Sequence, residues 1–136
     1  MAKTKAFEMA ELIRVFKYNT STDEIETTKR TKDKNKQRGS ATKTATTEFA
    51  LDTFAHADYR AARYIVAMKE GSKFHSTEIM LVHDGSAVTM TQYGTLKSHS
   101  LATFDADISG SNVQLLCTPA STSSTVIKFD RTTVDA

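Results

Sequence analysis

From residue 46 onward, apolar and polar residues alternate in short runs that are interrupted by turn-forming residues. Alternation with a period of two is typical of β-strands that bury one face. The pattern predicts six or seven strands, and a stretch at residues 57–63 is expected to form one helical turn or a loop. The candidate strands are residues 47–53, 64–69, 74–83, 87–93, 103–108, 112–118 and 125–131.

The segments between these runs carry residues that favour turns, at 70–72, 84–85, 109–112 and 119–124. The pair Asp84-Gly85 is the strongest hairpin signal, because both residue types tolerate a positive φ. The strands are short and adjacent in sequence, and no helix is long enough to connect parallel strands. The prediction is a mainly β fold, with an antiparallel β-sandwich or jelly-roll-like body at residues 46–136.

The pattern is different at residues 1–45, which we interpret as an N-terminal assembly arm. At residues 5–18 the apolar positions have helical spacing, so a short helix is predicted, with an extended strand as the alternative. Residues 19–23 are predicted to form a turn that is followed by a polar extended stretch. The candidate assembly contacts of the apolar part of the arm are Phe7, Leu12, Val15 and Phe16.

The arm also contains five cations at a strict spacing of two. In an extended chain they would all lie on one side, and only polar residues lie between them. They are Arg30, Lys32, Lys34, Lys36 and Arg38. Three interpretations compete: a solvated loop or edge strand whose lysines prevent unwanted pairing, an arm that docks on an acidic neighbouring subunit, and a nucleic-acid contact. The segment has no aromatic residue for base stacking, which argues against nucleic acid.

Charge is distributed unevenly along the chain. Residues 1–47 contain 11 Lys and Arg against 6 Asp and Glu, whereas residues 48–136 contain 7 against 10. A basic arm and a mildly acidic body would suit head-to-tail contacts between copies, so a homo-oligomer is expected. The 136 residues fit one compact domain, and no apolar run is long enough to span a membrane, so we expect neither a membrane-spanning segment nor a secretory signal.

No set of residues with catalytic or ligand-binding spacing emerges from the sequence. Residues 105–110 resemble the start of a calcium loop, but Leu116 stands where that loop needs a glutamate, so a hairpin turn is predicted there. The single cysteine, Cys117, is expected to be a small buried hydrophobe. The histidines lack metal-ligand spacing, and we expect no metal, cofactor, small-molecule substrate or enzymatic activity. They are His56, His75, His83 and His99.

Five segments resemble, in the same order, a module of tailed-phage virion proteins of the type found in cyanophages. They are residues 52–64, 78–85, 91–95, 103–110 and 115–119. The resemblance covers residues 50–132, and residues 5–12 also look like the start of some phage tail-fibre subunits. The basic segment at residues 29–43 departs from the module, which leaves the position on the particle undecided.

The resemblance implies a non-enzymatic structural subunit of the virion, in the tail, a fibre, the neck or the capsid surface as a decoration. Its partners would be other virion proteins and further copies of itself. Two alternatives stay open: a β module that binds a host receptor or carbohydrate, and a nucleic-acid-binding accessory protein that uses the basic segment.

Overall fold

A computed structural model describes residues 16–19, 24–27 and 34–136. The regular structure of these residues consists entirely of β-strands, which pair in antiparallel fashion and confirm the predicted fold class. The chain divides into two units, residues 1–33 and residues 34–136. The strands are β1 (Phe16–Asn19), β2 (Glu24–Thr27), β3 (Lys36–Lys43), β4 (Phe49–Ala55), β5 (Tyr59–Glu70), β6 (Lys73–His83), β7 (Val88–Lys97), β8 (Ala102–Ser109), β9 (Asn112–Pro119) and β10 (Thr125–Asp135).

The first unit contains the strands β1 and β2, which pair with Phe16 opposite Thr27 and Asn19 opposite Glu24. The polar extended stretch predicted after residue 23 is confirmed as β2. For residues 5–18 the sequence left helix and strand open. Residues 16–18 belong to a strand, and residues 5–15 lie outside the described part of the chain.

The second unit consists of two antiparallel sheets. The five-stranded sheet has the order β3-β10-β5-β6-β7, and the three-stranded sheet has the order β4-β9-β8. Sequential strands form hairpins at β5–β6, β6–β7 and β8–β9, whereas β10 returns from the end of the chain and lies between β3 and β5. The register is therefore fixed by local turns in the hairpins and by long-range pairing around β10.

Each predicted strand from residue 47 onward is confirmed, as β4 to β10, with ends that shift by a few residues. The prediction of a helical turn or loop at residues 57–63 is wrong for most of that segment, because β5 already begins at Tyr59. Ala61 pairs with Val82 on one side and with Val134 on the other. These partners are distant in sequence, so the local pattern did not reveal them.

Strand β3 enters the five-stranded sheet although it lacks an apolar face. The predicted boundary between arm and body was at residues 45 and 46, whereas β3 pairs with β10 from Lys36 to Lys43. Gly39 makes this pairing fit, since a Cβ atom there would lie 2.4 Å from the ring of Phe129. The Phe129 ring thus covers the glycine and supplies the apolar surface that β3 itself does not have.

The predicted hairpin turns form at the expected residues. Ser109 pairs with Asn112, and Gly110 between them has a φ of 60°. Residues 105–110, which resemble the start of a calcium loop, therefore lead into a two-residue hairpin turn, as predicted. In the turn after β6, the Asp84 carboxylate accepts hydrogen bonds of 2.8 Å from the backbone N–H groups of Ser86 and Ala87. These bonds, led by the one from Ala87, lower the pKa of Asp84.

The core lies between the two sheets and is formed by alternate residues of their strands. In β5, for example, residues 62, 64, 66 and 68 are buried, and the residues between them face away. The buried apolar side chains are Phe54, Ala62, Tyr64, Val66, Met68, Ile79, Leu81, Leu101, Ala102, Val113, Leu115, Cys117, Ile127 and Phe129. Cys117 is fully buried, as predicted, and burial raises the pKa of its thiol to about 12.

Three hydrogen-bonded polar side chains form a buried cluster that links the two sheets. Arg131 on β10 donates a 2.7 Å hydrogen bond to the Asp52 carboxylate on β4, and the Tyr64 hydroxyl on β5 donates to the same oxygen at 2.8 Å. The Arg131 guanidinium also lies 5.4 Å from the ring centre of Phe54. Burial, followed by the charge of Asp52, raises the pKa of Tyr64, so its hydroxyl remains a donor. The local sequence pattern gave no prediction of this cluster, because its three residues lie on three different strands.

Candidate assembly surface

The face of the five-stranded sheet that points away from the core carries large exposed apolar side chains. Odd-numbered residues of β5 and even-numbered residues of β6 and β10 point to this side. Leu96 on β7 points the same way, because it pairs with the outward-facing Ser76. The large apolar residues that the structure leaves exposed all lie on this face. They are Ile65 (49%), Phe74 (56%), Met80 (47%), Val82 (46%), Leu96 (72%) and Val134 (63%).

The pairing register brings four of these residues together around Ala61. Val134 and Val82 flank Ala61 on the two neighbouring strands, Met80 is the next outward residue along β6, and Ile65 lies diagonally across from Met80. We call these five residues the outer apolar cluster. An antiparallel sheet with one solvated face normally carries polar residues there. Apolar side chains grouped on the exposed face of a sheet are typical of an interaction surface.

Charged residues of both signs lie in and beside this cluster, since Arg63 stands between Ala61 and Ile65 on β5 and directly opposite Met80. The Arg63 guanidinium donates a 2.8 Å hydrogen bond to Glu78, which raises the pKa of Arg63, and Arg38 lies 3.4 Å from Asp130 on the neighbouring strand. Exposed ion pairs of this kind contribute little to folding stability. In an interface they would set orientation, because a wrong alignment brings like charges together.

The structure describes three of the five predicted cations. Lys36 and Arg38 lie on β3 with exposed side chains, two residues apart, as the extended-chain prediction requires. Lys34 lies in the turn before β3, and its ammonium group donates a 3.1 Å hydrogen bond to Asp135. That bond raises the pKa of Lys34. Arg30 and Lys32 lie outside the described residues.

Among the described strands, β3 also forms an edge of the five-stranded sheet, with β10 as its only partner. An exposed edge presents unpaired N–H and C=O groups that could pair with another chain, and lysines on such an edge limit that pairing. Lys36 and Arg38 thus lie where the edge-strand interpretation expects them, and docking of the arm on a neighbouring subunit stays a prediction.

The apolar contacts predicted for the arm cannot be located in the same way. Phe7, Leu12 and Val15 lie outside the described residues, and Phe16 is the first residue of β1. Their role in assembly stays a prediction.

The outer apolar cluster was not predicted from the sequence, although the sequence contains a signal for it. Residues 79–82 form an uninterrupted apolar run, and so do residues 64–68. Such runs are typical of strands that are covered on both faces, whereas strict alternation indicates one solvated face. The interruptions of alternation in β5 and β6 therefore marked the outer surface.

The histidine near the strongest hairpin has a structural role. The Nδ1 atom of His83 accepts a 3.1 Å hydrogen bond from the backbone N–H of Gly85, and its Nε2 atom lies 2.6 Å from the carbonyl oxygen of Tyr59. Because Nδ1 accepts, Nε2 carries the proton and donates to Tyr59. His83 therefore ties the start of β5 to the turn after β6. Within the described residues, no helix is long and apolar enough to cross a membrane.

Comparison with known proteins gives only distant likenesses. No protein-family model and no curated protein matches the chain. Among solved structures, the tailspike protein of Acinetobacter baumannii phage AM24 is 10% identical with a TM-score of 0.40, over 75% of this chain and 26% of that chain. A tailspike of another Acinetobacter phage is 18% identical with a TM-score of 0.42, over 81% of this chain and 23% of that chain.

A third neighbour is the tailspike of Acinetobacter baumannii bacteriophage Fri1, a capsular polysaccharide depolymerase. It is 12% identical with a TM-score of 0.33, over 74% of this chain and 20% of that chain. This chain thus spans between 20% and 26% of the length of the three tailspikes. All three are phage tail proteins, and the cyanophage-type resemblance of residues 50–132 stays a prediction.

Proposed function

We propose that this protein is a non-enzymatic structural subunit of a tailed-phage virion that acts by assembling with further copies of itself and with other virion chains. The observation that carries the proposal is the outer apolar cluster on a sheet whose opposite face already packs in the core. The sequence resemblance to phage virion modules supports the particle as its location.

The occupant of the outer apolar cluster is a second copy of the chain. A two-fold interface brings the same patch of two subunits together, so an apolar patch meets an apolar patch and buries both from water. The adjacent charges suit this arrangement, because Arg63 lies beside Glu78 and Arg38 beside Asp130. A rotated copy can place each cation against a carboxylate of its partner.

The double variant Met80→Lys with Val82→Lys tests the surface, because neither residue pairs with a carboxylate on the neighbouring strands. Two ammonium groups in the middle of an apolar interface would lose their hydration without gaining a partner, so the oligomer should dissociate at concentrations at which the unchanged protein is assembled. Sedimentation velocity over a hundredfold concentration range measures the shift towards monomer. Circular dichroism checks that the variant remains folded.

The matched control adds the same two charges on the other sheet, as Thr53→Lys with Ser109→Lys. Both residues are exposed on the three-stranded sheet, so the oligomeric state should stay unchanged. If the control dissociates equally, total charge explains the effect and the outer apolar cluster does not. If neither variant dissociates, self-association through this surface is wrong.

Deletion of residues 1–28 tests the assembly arm, which contains Phe7, Leu12, Val15 and Phe16. The shortened chain should be incorporated into particles at least tenfold less than the full chain, because its apolar contacts to neighbours are lost. Quantitative mass spectrometry of gradient-purified particles measures the copies per particle. Equal incorporation would remove the arm from the proposal, and absence of the full chain from purified particles would overturn the virion assignment.

A further inference from the structure

A cavity of about 580 Å³ lies at the open side of the second unit, between the edge strand β7 of one sheet and the edge strand β8 of the other. Its volume is in the range of pockets that hold small organic ligands. Polar side chains and one aromatic ring dominate its lining, and none of the lining residues is acidic. They are His75, Gln92, Thr95, Lys97, Ser100, Ala102, Thr103 and Phe104.

His75 lines this cavity and carries a buried hydrogen-bond donor. Its side chain is 2% exposed, and its Nδ1 atom accepts a 3.1 Å hydrogen bond from the backbone N–H of Leu101. The proton of the neutral ring therefore sits on Nε2. Among the described residues Nε2 has no hydrogen-bond partner, which is rare for a buried polar atom and costs free energy unless an acceptor reaches it.

Lys97 supplies a positive charge beside this donor. It lies directly opposite His75 in the pairing of β7 with β6, and both residues line the cavity. No ion pair joins Lys97 to any carboxylate of the described residues. Burial, followed by the charge of Lys97, lowers the pKa of His75, which favours the neutral ring with one N–H donor beside the Lys97 ammonium group.

We propose that this cavity binds a small organic anion that carries hydroxyl groups, with His75 Nε2–H and the Lys97 ammonium group donating to its anionic oxygen. The acceptor would satisfy the buried donor and neutralise the unpaired cation in one contact. Ser100 and Thr103 provide hydroxyls that can pair with hydroxyl groups of the ligand, and the half-buried Phe104 ring provides an apolar surface for its carbon skeleton. The sequence led us to expect no small-molecule ligand, and this proposal departs from that expectation. The proposed binding does not depend on the proposed assembly.

The test uses three probes with the full chain: sodium gluconate, the neutral polyol sorbitol and inorganic phosphate. Isothermal titration calorimetry should show saturable binding of gluconate and at least tenfold weaker binding of sorbitol, because a hydrogen bond to a charged group contributes more than a neutral one. In ¹⁵N NMR spectra, gluconate should shift the His75 Nε2 and Leu101 amide signals.

The variant Lys97→Gln should weaken gluconate binding at least tenfold, and the control Lys128→Gln should leave it unchanged. Lys128 is exposed on the outward face of β10, so the control makes the same charge change away from the cavity. Three results would each overturn the proposal: no saturable gluconate binding, equal loss in both variants, or sorbitol bound as tightly as gluconate. Phosphate bound as tightly as gluconate would overturn the organic ligand class.

Discussion

Replacing Arg131 by methionine is expected to lower the free energy of unfolding by about 3 kcal/mol. The Arg131 and Asp52 side chains are only 7% and 11% exposed, and their hydrogen bond is 2.7 Å long. Methionine fills much of the same volume but leaves the Asp52 carboxylate with the Tyr64 hydroxyl and without a cation. Removing one partner of a buried ion pair costs about 3–5 kcal/mol, because the remaining charge stays buried. We expect the lower part of that range, since Nε of Arg131 has no hydrogen-bond partner among the described residues.

Urea denaturation followed by fluorescence or circular dichroism measures this loss. The control is Arg38→Met, whose exposed ion pair with Asp130 should contribute too little to resolve. Adding Asp52→Asn to Arg131→Met removes the unpaired charge and keeps an acceptor for Tyr64, so it should restore part of the stability. If Arg131→Met were as stable as Arg38→Met, the linking role of the buried ion pair would be wrong.

Replacing Leu115 by alanine is the second change with a large expected effect. Leu115 lies on the central strand β9 of the three-stranded sheet and is fully buried. The substitution removes three carbon atoms from a closely packed core and leaves a cavity that neighbouring strands fill only in part. The expected loss in the free energy of unfolding is about 3 kcal/mol, within the usual range for buried leucines.

The matched control is Leu96→Ala, the same substitution at a side chain that is 72% exposed on β7. Leu96 should contribute little to folding, because it is already in contact with water in the folded chain. Both variants are compared by urea denaturation at low protein concentration, which keeps association out of the measurement. Equal losses in the two variants would contradict the assignment of Leu115 to the core.

The seven strands from residue 47 onward could be predicted because their alternation and their turn residues are local properties. Gly110 and the Asp84-Gly85 pair set hairpin turns whose φ angles and side-chain hydrogen bonds need no distant partner. The extent of β5 could not be predicted, because Tyr59 to Arg63 become a strand through pairing with β6 and β10.

The candidate sites were less accessible to sequence reasoning. The exposed cations Lys36 and Arg38 were found from their spacing, but the outer apolar cluster unites residues from β5, β6 and β10 and depends on their register. The cavity at His75 likewise joins β6, β7 and β8. Spacing along the chain does not report such proximity.

By itself the sequence determined that this protein is a mainly antiparallel β structure with a basic N-terminal segment, because strand periodicity, turn chemistry and charge are written in neighbouring residues. Only the tertiary structure decided that β3 joins the five-stranded sheet, with Gly39 under the Phe129 ring. It also decided that Asp52 and Arg131 link the two sheets, and which apolar residues face outward. The physical reason is that these features arise from contacts between strands that are distant in sequence. The energy of those contacts depends on register and on packing between the strands.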